Sequence, residues 1–252
     1  MIDSLFLFIV LALCAEILGT IGGFGSSLFF VPIAGFFLDF HSVLRITALF
    51  LVSSNISKIA IFKKSFDKKL IVSLGVPAIL FVIIGAYFSK YANEKLLEIL
   101  LAVFLILLSS LLLFFKISAI KPTTLNSVTG GALSGLTAGL LGTGGAIRGL
   151  TLAAFNLQKE TFIVTSALID FGVDLSRSVI YFSNGFIHKD DLYLIPILFL
   201  VSFAGTFIGK KILNLFSQEQ FRMLTLSLIL LVGSILLAKQ LFPSTFSFFK
   251  IS

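Results

Sequence analysis

The chain has 252 residues, 58% of them hydrophobic and only 12% charged, and its mean hydropathy is +1.11. Soluble domains carry roughly 25% charged residues, so this composition excludes an ordinary soluble protein and describes a chain that crosses a bilayer several times. The net charge of +7 fits loop lysines that orient spans better than a nucleic-acid surface, and the single cysteine, Cys14, excludes an internal disulfide or a cysteine-based metal cluster.

The opening stretch, MIDSLFLFIV, has neither a basic leader nor a small-residue cleavage site and reads as a retained membrane segment. Apolar segments follow at 5–38, 43–62, 70–88, 96–115, 126–157, 161–182, 192–213 and 221–238. All but the first and fifth have the length of a single spanning helix, about 20 residues. Those two are longer and carry glycine clusters near their middles, at GTIGGFGSSLFFVP (19–32) and GLLGTGGAIRGLTL (139–152). Glycine weakens a helix, so each is expected to bend into a hairpin of two half-length helices. Both histidines, His41 and His188, fall in predicted loops, and the abundant phenylalanine, with no tryptophan present, is expected as lipid-facing bulk.

The two glycine stretches match one another. Gly19, Gly22 and Gly25 stand 120 residues before Gly139, Gly142 and Gly145. Asn55, Ser57, Lys58 and Pro77 stand 119 residues before Asp174, Ser176, Arg177 and Pro196. The expected fold is an all-α polytopic membrane protein of two inverted repeats, each a glycine-broken helical hairpin followed by three transmembrane helices. The first repeat covers 1–120 and the second 121–252.

Charge supports the inversion. A hairpin returns to its starting side and three spans are odd in number, so the second repeat enters from the opposite face. The loop FKKSFDKKL (62–70), with Lys63, Lys64, Lys68 and Lys69, is expected in the cytoplasm. Counting from it places Lys116, Lys121, Lys159, Lys210 and Lys211 inside as well. Lys90, Lys95, Lys189, Lys239 and Lys250 fall outside, as do both termini. Inverted repeats with broken helices are characteristic of secondary transporters, whose binding sites form at the midplane.

The doubled glycine-rich segment, early in each half, resembles the TauE/SafE family of sulfite and organosulfonate transporters. GLLGTGGAIRGL is similar to that family's repeated G-x-x-G-x-G-G segment. The first copy keeps the following Pro32 but has Phe24 where the second has Gly144; the second has Leu152 where a proline is usual, and Arg148 interrupts its apolar run. The resemblance implies export or uptake of a small sulfur-containing or carboxylate anion across the plasma membrane, by a multi-pass protein rather than an enzyme. The implied partners are the anion and the lipid bilayer, with no nucleic acid.

A half-helix that begins at mid-membrane points free backbone N–H groups and a positive dipole end inward. Gly22, Gly23, Gly25, Ser26 and Ser27 at one break, and Gly142, Gly144 and Gly145 at the other, are therefore the candidate substrate-binding residues. The alternative is that the glycines serve close helix packing. Arg148 joins the site on the second half-helix, either gripping the anion with its planar fork or pairing a carboxylate.

Asp170, Asp174 and Arg177 share one helical face, and an Asp174–Arg177 pair would neutralise both charges. Asp170 is then left to pair Arg148 in the empty site or to take up a proton. Glu16, one turn before the first break, either titrates or hydrogen-bonds a half-helix end. These four are the proton-coupling or gating candidates, while Lys58 is expected to snorkel to the cytoplasmic face.

Rival chemistries lack their residues. A lipid-pyrophosphate phosphatase needs Glu, Ser, Arg and His together at the hairpin tips, and an intramembrane serine protease needs a buried Ser–His pair. No cofactor or metal site is expected. A passive anion channel remains the alternative to a transporter.

Overall fold

The structure, a computed structural model, describes residues 2–23, 25–63, 65–114, 121–155, 157–185, 193–213, 215 and 218–242. Phe24, Lys64, Lys116, His188, Lys189 and Lys250 lie outside the described residues. Among the described residues every regular element is helical, which satisfies the backbone of an apolar segment from within.

Helices α1 (Ile2–Gly22) and α2 (Ser27–Ala34) form the first hairpin, and α3 (Phe40–Phe62) follows it. Next, α4 (Lys68–Leu70), a π-helical turn (Ile71–Gly75) and α5 (Val76–Ser89) run on as one rod, and α6 (Glu94–Phe114) comes after them. The second hairpin is α7 (Thr124–Leu141) and α8 (Gly145–Ala153), followed by α9 (Lys159–Ser183), α10 (Leu194–Ile212) and α11 (Gln218–Leu241). Among the described residues three rods, Phe40–Phe62, Lys68–Ser89 and Leu194–Ile212, are long and apolar enough to cross a membrane. The π turn has a local cause: Pro77 has no N–H to return to the preceding turn, and the backbone widens ahead of it.

The hairpins are not made of two half-length helices. The first arm, α1, has 21 residues and α7 has 18, about 31 and 27 Å of helix, whereas the return arms α2 and α8 have only 8 and 9. The reason is that Gly19 and Gly139 do not break their helices. Each is a flat spot on a continuous helix where another backbone lies close: Ser26 of the return strand against Gly19, and Val82 and Ala86 of α5 against Gly139. The reversal begins later, at Gly23 and Gly25 in the first hairpin and at Gly142 in the second, all with positive φ.

Helix α2 folds back along α1, bringing Phe30 and Phe37 to Phe8 with ring centroids 5.7 Å apart in both pairs. Phe30 also meets Phe50 of α3 at 4.4 Å. These rings are buried, so phenylalanine builds the core around the first hairpin as well as the outer surface, where Phe6, Phe114 and Phe182 are exposed. Lipid-facing bulk is thus only one of its two uses.

Each hairpin's long helix packs on a helix from the other half of the chain: α1 on α10, and α7 on α5. Both seams use small residues and both pairs run parallel. Gly131, Gly135 and Gly139 of α7 sit in turn against Leu74, Ala78 and Ala86. On α10, Gly205 sits against Glu16 and Gly209 against Thr20. Contact through glycine lets backbones approach where lipid offers no hydrophobic drive for association. Helix α3 lies antiparallel to α9, with Phe62 beside Ile163, and α6 packs on α11.

A Cβ at Gly135 would overlap the Ala78 carbonyl, a backbone group that cannot swing aside. Gly135→Ala is expected to cost about 1–3 kcal/mol by overpacking the seam. Leu133→Ala, at an exposed position of the same helix, is expected to stay within about 0.5 kcal/mol. Thermal unfolding of the two purified variants in detergent compares them.

Candidate functional site

The two hairpin tips meet inside the bundle. A Cβ on Gly25, whose φ is +86°, would lie 3.3 Å from Nη2 of Arg148 and 3.8 Å from the Gly145 Cα. Across the junction the Thr143 hydroxyl donates to Oγ of Ser27 at 3.2 Å. Neither short helix is capped by a side chain: Ser26 at the head of α2 and Gly144 at the head of α8 make no capping bond. Two sets of helix-start N–H groups, with the positive ends of two dipoles, therefore come together at one place.

Arg148 lies about one turn into α8 and is 3% exposed. Its Nε donates to the Ser166 hydroxyl at 3.0 Å and its Nη1 pairs Asp170, both on α9. Its Nη2, directed toward Gly25, has no hydrogen-bond partner although it is buried. An unsatisfied guanidinium N–H away from water is costly, and an acceptor placed there would relieve it.

A second buried pair faces the first across a small cavity. Glu16 of α1 is fully buried and Lys58 of α3 is 5% exposed; Lys58 Nζ lies 3.1 Å from Glu16 Oε1. The same ammonium donates to Ser54 at 2.6 Å and to Ser26, the head of α2, at 3.1 Å. Glu16 Oε1 also accepts from Ser54 at 2.8 Å, Thr206 at 2.9 Å and Thr20 at 3.3 Å. Lys58 therefore does not snorkel. The Glu16 carboxylate and two hydroxyls, those of Ser26 and Ser54, compensate its charge inside the bundle, so the ammonium has no need of the interface.

The third pair has a different setting. Arg177 and Asp174 lie 2.8 Å apart on α9, and Asn55 of α3 donates to Asp174 at 2.8 Å. Arg177 Nη1 donates to the carbonyls of Ala138 and Gly142, both at 3.0 Å, and the Tyr181 hydroxyl donates to the Gly139 carbonyl at 2.7 Å. These carbonyls belong to the end of α7, where the helix has run out of its own donors. The pair thus fastens the second break from behind.

The cavity is lined by Gly19, Thr20, Gly23, Gly25, Asn55, Lys58, Ile163, Ser166, Ala167 and Asp170. Of the residues singled out in the sequence, it brings Gly23, Gly25 and Asp170 to its wall, with Arg148 directly behind Asp170. Gly22 ends α1, and Gly145 starts α8 beside Gly25. Gly144 lies against the backbone of Ser134, its own hairpin's long arm, and Gly142 against Val31 and Leu44; both are closely packed. Asp174 and Arg177 stand outside the lining. Thr20, Asn55, Lys58 and Ser166 enter it although sequence reasoning gave them no binding role. One signal did point to Lys58: it occupies the position matched by Arg177 in the second half.

A family model described as "Sulfite exporter TauE/SafE" matches residues 8–236. Comparison with curated proteins and with solved structures gives no match.

Removing Arg177 strands Asp174 in a dry interior and frees two helix-end carbonyls. Arg177→Met is expected to cost about 3–5 kcal/mol of stability. Arg177→Met combined with Asp174→Leu is expected to regain part of that loss, because no lone charge remains. Melting curves of single and double variants, read as a thermodynamic cycle, check both values.

Proposed function

The chain belongs to the sulfite exporter TauE/SafE family, a family of membrane transporters of sulfite and related sulfur anions, and we propose that it is a secondary transporter. Its substrate is a small sulfur-containing or carboxylate anion, bound between the two hairpin tips near the middle of the plasma membrane. The observation that carries this reading is the buried, unpartnered Nη2 of Arg148, aimed at Gly25 where two uncapped helix starts meet. Such a place offers a planar guanidinium N–H and free backbone N–H groups to a sulfonate, sulfite or carboxylate oxygen. Gly25 leaves room for the anion beside the guanidinium, which any side chain there would occupy.

The same reading takes residues 1–120 and 121–252 as inverted repeats. The exchange of partners supports it: α1 runs parallel to α10 and α7 parallel to α5, while α3 crosses α9 antiparallel. A two-fold axis in the membrane plane relates such pairs, and it puts a binding site where the repeats meet. With the 62–70 loop in the cytoplasm, both termini are outside. Ser65→Cys is expected to react with a membrane-impermeant maleimide in inside-out vesicles and to stay unlabelled in intact cells. Labelling from the outside reverses the orientation.

Titration of purified protein with sulfite, simple sulfonates and carboxylates identifies the anion. Arg148→Gln is then expected to weaken its binding by roughly 2–5 kcal/mol, as for a desolvated charged pair. Arg148→Lys is expected to recover only part, having lost the fork. Gly145→Leu is expected to block binding by filling the junction. Unchanged affinity in Arg148→Gln removes the guanidinium from the site and leaves the glycines as packing devices.

A further inference from the structure

The charges around the cavity balance. Lys58 and Arg148 supply two positive charges, and Glu16 and Asp170 supply two negative ones. An anion that enters leaves one uncompensated negative charge in a dry interior, where such a charge is expensive. The two carboxylates are not equivalent in what they can do about it. Asp170 reaches the cavity and its side chain is 15% exposed, whereas Glu16 is completely buried and has one oxygen without any partner. All of its donors, Lys58 included, converge on Oε1, and Oε2 has none. A proton arriving at Oε2 therefore displaces no hydrogen bond.

Lys58 connects this carboxylate to the cavity. Its ammonium lines the cavity and bonds Ser26 at the head of α2, so an anion seated on that helix start meets it directly. Resting on the anion site proposed above, we propose that Glu16 is the proton acceptor that accompanies the anion. Arg148 gives the anion its spare Nη2 while its Nη1 keeps Asp170; the anion also takes Lys58 as counter-ion, Glu16 loses that counter-ion, and one proton from solvent binds Oε2. Charge balances, since one negative charge enters with one proton, and the loaded site has the same net charge as the empty one. The anion and the proton thus move together.

Among the described residues the surroundings offer no rival cation. From α3 the group that faces Glu16 is Lys58 itself, and α2 carries no titratable side chain. From α10 the contact is the Thr206 hydroxyl; Lys210, further along, is held by the Ile61 carbonyl at 2.8 Å. On α11, Lys239 is bound to the Gly35 carbonyl at 2.5 Å. Arg148 stands across the cavity, engaged by Asp170.

The test uses the full chain in lipid nanodiscs, with sodium methanesulfonate as probe because that anion has no proton to exchange near neutral pH. Calorimetric titrations in phosphate and in Tris, whose ionisation heats differ, count the protons taken up on binding. Wild type is expected to take up as much as one proton per anion, with affinity falling by up to about tenfold per pH unit as pH rises. Glu16→Gln is expected to bind the anion without proton uptake and without that pH dependence. Should Glu16→Gln fail to fold, the infrared spectrum of wild type decides instead. Anion binding then produces a protonated-carboxyl band that shifts when glutamate is labelled with carbon-13. A band that stays put, or proton uptake that survives in Glu16→Gln and disappears in Asp170→Asn, assigns the proton to Asp170 and overturns the inference. Binding without proton uptake in wild type overturns the coupling and leaves the anion site standing. If methanesulfonate, sulfite and simple carboxylates all fail to bind, the anion site itself falls, and the inference with it.

Discussion

A charge that sits among apolar helices has to be answered by another charge, and among the described residues three buried ion pairs do this inside the bundle: Glu16 with Lys58, Asp170 with Arg148, and Asp174 with Arg177. Each cation is also tied to a helix break. Lys58 bonds the head of α2, Arg148 belongs to α8 just past its start, and Arg177 holds the carbonyls at the end of α7. The breaks are what make the hairpins, so the electrostatics and the topology depend on one another. A broken helix leaves backbone groups exposed in a medium that cannot solvate them. At the second break Arg177 supplies the carbonyl end with partners, and the two N–H ends are left facing each other.

Glycine has two separate duties here, and they use different physical properties. Along α7, Gly131, Gly135 and Gly139 are small, and they let α5 approach as close as its own carbonyls allow. At Gly23, Gly25 and Gly142 the backbone takes a positive φ that a side chain resists. Size makes the seams and conformational freedom makes the reversals. In the string GGALSGLTAGLLGTGG both kinds follow one another without a visible boundary.

That mixture explains what could be read in advance. The order of the helices was plain, because run length and hydropathy are summed over many residues. That the chain reverses near the two glycine clusters was also plain, because they lie 120 residues apart in otherwise apolar segments. The length of each hairpin arm was not: Gly19 and Gly139 look like breaks by composition, and only their neighbours show them to be flat packing surfaces. The Asp174–Arg177 pair was legible because its members are one turn apart on a single helix. The Lys58–Glu16 pair was hidden, since it joins α3 to α1 and no local spacing reports a contact between elements.

The exchange of long helices between the halves of the chain also bears on how the protein is made. Glu16 rests partly on Thr206, 190 residues later, and Gly205 and Gly209 complete the seam along α1. At ordinary synthesis rates of about 5–20 residues per second, α1 waits roughly 10–40 s for that helix to leave the ribosome. During the wait Lys58 and Ser54, which emerge much sooner, are the partners that the carboxylate already has. Both members of the ion pair therefore lie in the first part of the chain to emerge, well before the last helices arrive to close around it.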